Sequence, residues 1–128
     1  MHPMAEQSKV VAVRGAVQAA ENSSEAILSA TEKLVHELME MNELSPEEMI
    51  SAIFTTTPDL NAEFPAVAAR TMGLAGVPLM CAREIPVPGA MARVIRVMVH
   101  CNFPSGRSVR HVYLGETRAL RADLDAAQ

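Results

Sequence analysis

The stretch Arg93–Asn102, RVIRVMVHCN, is the clearest strand in the chain and the best place to begin reading its fold. Side chains alternate along an extended backbone. Val94, Arg96, Met98 and His100 therefore share one face, and Ile95, Val97, Val99 and Cys101 share the other. The second face is wholly apolar and reads as core. On the first, Arg96 lies among apolar neighbours. A guanidinium there must either be paired or face a cavity that admits an anion.

Moving outward from this strand, Phe103–Gly106 (FPSG) is a turn and Val109–Leu114 (VRHVYL) a last strand, which carries the only tyrosine, Tyr113. Upstream, Pro86–Gly89 is a stiff turn. Before it, Val77–Ala82 (VPLMCA) is a third strand with Pro78 near its start or on an edge, closed by Glu84. Phe64-Pro65 opens a short helix through Ala66, Ala69 and Met72 that Gly73 stops. Ile50–Thr56 is a second strand, preceded by one helical turn at Ser45-Pro46. Asn22-Ser-Ser-Glu25 is a capping-box pattern with Asn22 as N-cap. Ile27, Ala30, Leu34, Leu38 and Met41 then recur at helical spacing, which predicts an amphipathic helix from about Ser23 to Met41. Lys9–Ala16 is a first strand ended by Gly15, with Arg14 near its C-terminal end.

The resulting order is β-α-β-α-β-β-β. It describes an α+β domain with a mixed five-stranded sheet, one long helix and short helices. A single long helix covers only one face of such a sheet, so the other face calls for self-association.

Composition narrows the function. With 128 residues the chain builds one domain. A formal net charge of −4 argues against binding nucleic acid through bulk attraction, and one Tyr, three Phe and no Trp make a base-stacking platform improbable. No apolar run reaches a bilayer span, and the start does not read as a secretory signal, so the expected location is cytoplasmic. Cys81 and Cys101 fit free thiols in a reducing compartment. No phosphate loop, zinc-protease, redox or nucleophile-elbow motif is present, and the histidines lack metal spacing; neither metal nor cofactor is expected.

Nine of the eleven basic residues are Arg, and seven of those lie beyond residue 80. Arg grips carboxylates in a bidentate way that Lys cannot match. A G+C-rich genome would produce the same excess, so position has to decide. Arg96, Glu84, Arg14 and Tyr113 are the charged or polar groups in telling places. An Arg96–Glu84 ion pair that only organises the fold is the plainer alternative.

Several blocks then carry a resemblance: Arg14-Gly-Ala16, Thr57-Pro-Asp-Leu60, Phe64-Pro-Ala66 with Arg70, Val77-Pro78 followed by Cys81 and Glu84, Ile95-Arg-Val97, Arg110-His-Val-Tyr-Leu114, and Leu120-Arg-Ala-Asp-Leu124. In order and spacing they closely resemble the monofunctional chorismate mutases of the Bacillus type. The resemblance covers about Val10 to Leu124 and implies a domain over residues 9–124, with 1–8 a flexible extension and 125–128 a tail.

The same resemblance implies a homotrimeric pseudo-α/β barrel with active sites at subunit clefts. Its activity would be the rearrangement of chorismate to prephenate in phenylalanine and tyrosine biosynthesis. Arg96 would lie beside the ether oxygen, with Glu84 and Cys81 at the ring hydroxyl. Arg14 and Tyr113 would bind the side-chain carboxylate. Phe64, Ala66, Leu79, Met80 and Leu120 would shape the wall, and Arg70 and Arg121 would close over the ring carboxylate. Some relatives have a Lys where this chain has Val67, so that basic contribution is missing here. Two other readings stay open: a trimeric enamine or imine deaminase of similar architecture, and a non-catalytic carboxylate-binding trimer.

Overall fold

A computed structural model describes residues 7–121. Five strands, β1 (Ser8–Gln18), β2 (Met49–Thr56), β3 (Leu79–Arg83), β4 (Val94–Pro104) and β5 (Val112–Tyr113), form one mixed sheet in the order β3-β2-β4-β1-β5. β4 is its central strand. β4 runs antiparallel to both β1 and β2, while the outer pairs β2–β3 and β1–β5 are parallel. The expected mixed five-stranded α+β fold is thus the one observed.

The long helix α1 (Ser24–Asn42) lies on one face of the sheet. Its fully buried Ile27, Leu34 and Leu38 join Val13, Phe54, Ile95, Val97, Val99, Cys101 and Phe103 in the main core. The apolar face of β4 therefore points at the helix, as its alternation predicts. The helix begins one residue later than expected. Ser23, not Asn22, is the N-cap, its hydroxyl accepting from the Ala26 N–H at 3.1 Å. Asn22 is engaged elsewhere: its Oδ1 accepts from the backbone N–H groups of Asn61 and Ala62, and its Nδ2 donates to Asn61 Oδ1. An amide that can bridge two loops has more partners there than at a cap.

The strand boundaries also differ from the sequence reading; β2 starts at Met49, and β4 continues through Phe103 to Pro104, into the expected turn. β1 runs through Gly15 to Gln18, so Arg14 is an interior residue of the strand and Gly15 does not end it. Gly15 serves a close approach instead: a Cβ there would lie 2.9 Å from the Val112 carbonyl oxygen and 3.0 Å from a Leu34 methyl. β3 starts at Leu79 and ends at Arg83, with Glu84 just beyond; the Glu84 N–H still donates to the Thr56 carbonyl at 2.9 Å.

β5 is only two residues long, because the segment before it pairs with side chains rather than with a strand. Buried Asn42 accepts from the Arg110 N–H at 2.8 Å and donates to the Arg110 carbonyl at 2.9 Å, as a peptide group would. The Arg14 N–H donates to His111 Nδ1 at 3.0 Å.

The short helix α2 (Pro65–Ala69) starts with Pro65 in the first turn and runs on as a π-helical segment, Arg70–Leu74, in which Gly73 has φ 101°. The turn after Ser45 is a 3₁₀ turn, Pro46–Glu48, held by Glu48 accepting from the Ser45 N–H. At the N-terminal boundary, Ser8 pairs with Pro104, so the sheet takes up the last residue assigned to the extension. The rest of that extension before residue 7, the family block beyond Arg121 and the tail at 125–128 lie outside the described residues.

The sheet face away from α1 is partly open. Val10, Ile53, Met80 and Met98 are exposed on it, Val10 and Met80 by more than 60 %. One end is covered by a small second cluster in which Ala16, Val94 and Tyr113 are buried, with Met91 and Leu120 packed against them.

Candidate active site

The charged residues collect on the open face, beside the second cluster. Register explains why. Arg96 on β4 stands opposite Ala16 on β1 and Thr55 on β2, and Met98 stands opposite Arg14 and Ile53. Directly paired residues share a face. Arg14, Arg96 and Thr55 therefore project to the same side, and Tyr113, the β5 partner of Ala16, flanks them. Together with Ile53 and Met98 they line a cavity of about 320 Å³, within the range of small-ligand sites.

The electrostatics of this cavity are asymmetric. Arg96 Nε donates to Glu84 Oε2 at 2.9 Å, forming the ion pair that position suggested. Only Nε is used; among the described residues no protein acceptor engages the terminal nitrogens of Arg96. The Arg96 side chain keeps 38 % of its surface accessible, against 15 % for Glu84. Arg14 adds a second guanidinium with no side-chain acceptor among the described residues. Two guanidiniums line the cavity against a single nearby carboxylate, Glu84, which pairs with Arg96, so the cavity attracts an anion. A carboxylate entering it would meet preset donors rather than having to recruit them.

The other sequence-predicted residues fall in different places. Phe64 and Cys81 line a second cavity of about 440 Å³, with Leu60, Asn61 and Arg83. Cys81 pairs with Phe54, which faces the helix, so within one chain it lies across the sheet from Arg96. Leu79 packs on the main core from the same face, and Ala66, a residue of α2, is buried in that core. Met80 points to the open face as the partner of Ile53. Arg70 is exposed at the start of the π-helical segment. Leu120 packs on the Tyr113 cluster, and Arg121 Nη1 donates to the His111 carbonyl at 3.4 Å, which places the C-terminal segment next to the first cavity.

Two residues with a part in this geometry were not singled out from sequence. Thr55 donates to Glu84 Oε2 at 2.7 Å, and His111 holds the Arg14 backbone. Thr55 stands in no motif and only the strand register reveals it; His111 lies in the Arg110–Leu114 block, but its bond to Arg14 is visible only in the folded chain.

Residues 10–124 match the family described as chorismate mutase type I. The chain is 48 % identical over 118 residues to the chorismate mutase AroH of Thermus thermophilus, spanning 91 % of this chain and 97 % of that protein. It is 38 % identical over 115 residues to the chorismate mutase AroH of Bacillus subtilis, spanning 88 % and 90 %. Among solved structures, a chorismate mutase from Clostridium thermocellum superposes with a TM-score of 0.80 at 42 % identity, covering 85 % of this chain and 98 % of that one. Neither the deaminase nor the non-catalytic alternative is supported by these relatives.

Proposed function

The chain belongs to the type I chorismate mutase family, and we propose that it rearranges chorismate to prephenate in the cavity between Arg14, Arg96 and Tyr113. One observation carries the assignment of the site. The Arg96 guanidinium is anchored through Nε while its terminal nitrogens remain available to a ligand.

The reaction is a unimolecular [3,3] shift of a dianion. No proton has to move and no nucleophile is needed. The breaking C–O bond runs ahead of the forming C–C bond, so negative charge gathers on the ether oxygen. A guanidinium fixed beside that oxygen binds the transition state more strongly than the ground state. Anchoring by Glu84 removes the reorientation that a free Arg would need. Glu84 also sets a negative charge near the ring as the ring gains positive character. Arg14 and Tyr113 suit the side-chain carboxylate, and Arg70 and Arg121 the ring carboxylate. Together they would select the compact, chair-like conformer in which the reacting carbons meet. The chemistry itself calls for no cofactor.

A homotrimer with active sites at subunit interfaces accounts for two further features. The exposed Val10, Ile53, Met80 and Met98 would be buried between copies. The cavity holding Phe64 and Cys81, which faces away from Arg96 in its own chain, would complete the site of a neighbour, bringing the predicted wall and ring-hydroxyl contacts to the reacting group. Phe64 is 66 % exposed, as expected of a residue awaiting such a partner. No helix among the described residues is long and apolar enough to cross a membrane, and the two free cysteines suit a reducing cytoplasm.

Purified protein added to chorismate should abolish the diene absorbance without added metal or cofactor. Persistence of that absorbance with a folded preparation would sink the reading.

A further inference from the structure

We propose that Thr55 is a positioning residue for this reaction, fixing Glu84 so that one carboxylate oxygen is tied to the protein and the other is presented to the cavity. The inference rests on the proposed function and assigns a role to a residue that family blocks and motifs leave aside.

Both donors to the Glu84 carboxylate converge on the same atom. Thr55 Oγ1 donates to Oε2 at 2.7 Å and Arg96 Nε donates to Oε2 at 2.9 Å. Among the described residues no donor reaches Oε1. Thr55 and Arg96 are cross-strand partners on β2 and β4, so the two donors are held in the register of the sheet itself. The next residue of β2 fixes the other end of Glu84: the Thr56 carbonyl accepts from the Glu84 N–H at 2.9 Å. Consecutive threonines thus hold both the backbone and the side chain of a residue that lies just past the end of its own strand.

A single donor would let the carboxylate pivot about Oε2. Two donors from different strands define its plane and direct Oε1 away from the ion pair. The β-branched Thr side chain adds stiffness, because its χ1 is restricted. Arg96 also gains, since a carboxylate that cannot swing keeps Nε occupied and the terminal nitrogens aimed at the ligand. Thr55 itself lines the cavity beside Arg96.

The test is kinetic. Thr55→Val keeps the shape and strand preference but removes the hydroxyl, and Thr55→Ala removes it without the branched methyl. Both should lower kcat/KM for chorismate by roughly tenfold, the scale of one hydrogen bond to a charged group. Most of the loss should fall on kcat, because the bond orients the reacting site rather than adding uniform binding. Thr55→Ser, which restores the hydroxyl, should return to within about threefold of the parent.

In a Glu84→Ala background, Thr55→Val should cause no further loss, because Thr55 then has nothing to hold. Parent-level kcat/KM in both hydroxyl-free variants would overturn the proposal. So would losses that multiply in the double variant, or a Ser variant as poor as Ala. Failure of the parent protein to convert chorismate would instead remove the functional reading on which the inference stands.

Discussion

Replacing Arg96 separates catalysis from folding more cleanly than any other change in the site. In Arg96→Ala the cavity loses the donors that the proposed function assigns to the ether oxygen. Removing one preset donor of this kind costs about 2.7–4 kcal/mol, or roughly 10²–10³ in kcat. The effect on stability is far smaller. The Arg96 side chain is 38 % accessible, so its pair with Glu84 is partly screened by solvent and contributes no more than about 1 kcal/mol. Glu84 is left with the Thr55 hydroxyl as partner. For a domain of this size, a loss of about 1 kcal/mol lowers the melting temperature by only a few degrees.

Arg96→Lys sharpens the comparison. An ammonium keeps the charge but lacks the planar fork that holds Glu84 through one nitrogen and offers two more to the substrate. It should recover less than about tenfold of the lost rate. The assay follows diene disappearance at saturating chorismate, with calorimetric melting and sedimentation run on the same preparations. A folded, correctly assembled Arg96→Ala protein with near-parent kcat would refute the electrostatic role. Loss of fold and activity together would return the Arg96–Glu84 pair to a purely organising part.

Four further outcomes follow from the packing. Gly15→Ala forces a Cβ to within 2.9 Å of the Val112 carbonyl, which is backbone and cannot rotate away; β5 should shift, with a cost of roughly 1–3 kcal/mol in urea unfolding and a rise in KM as Tyr113 moves. Unchanged stability and KM would show that β5 has room the geometry denies. Asn42→Asp should be at least as harmful as Asn42→Ala, by about 2–3 kcal/mol, because the carboxylate cannot donate to the Leu38 and Arg110 carbonyls as the amide does; a neutral Asp variant would contradict the clamp. Burial first, and Glu48 second, push the Cys101 thiol above its ordinary value of 9.0. Its contribution to stability is therefore complete below 9.0 and lost as pH rises toward the higher folded value, so Cys101→Ala should flatten the alkaline fall in melting temperature. The same burial should leave Cys101 inert to a thiol reagent in the native protein while Cys81, which lines a cavity, reacts.

What the sequence determined by itself is the set of elements and the face on which each residue falls. The alternation in RVIRVMVHCN assigned Ile95, Val97, Val99 and Cys101 to the core and Arg96 to the other side, because a period of two is local to the strand. The spacing of Ile27, Leu34 and Leu38 likewise oriented α1, and ordered blocks from Arg14 to Leu124 pointed to the family. What the tertiary structure decided is everything that depends on competition between distant groups. Asn42 and His111 displace strand partners from residues 110–111 and Arg14, which shortens β5. Asn22 prefers a loop to a cap, and Gly15 sits inside a strand because a carbonyl far along the chain passes close by. Strand register placed Thr55 against Arg96, and strand alternation put Cys81 on the opposite face of the sheet. A strand's pattern says which way its side chains point; only its neighbours say what they meet. That is why Arg96 was legible as a charge in need of an anion, while the threonine that helps aim its partner was not.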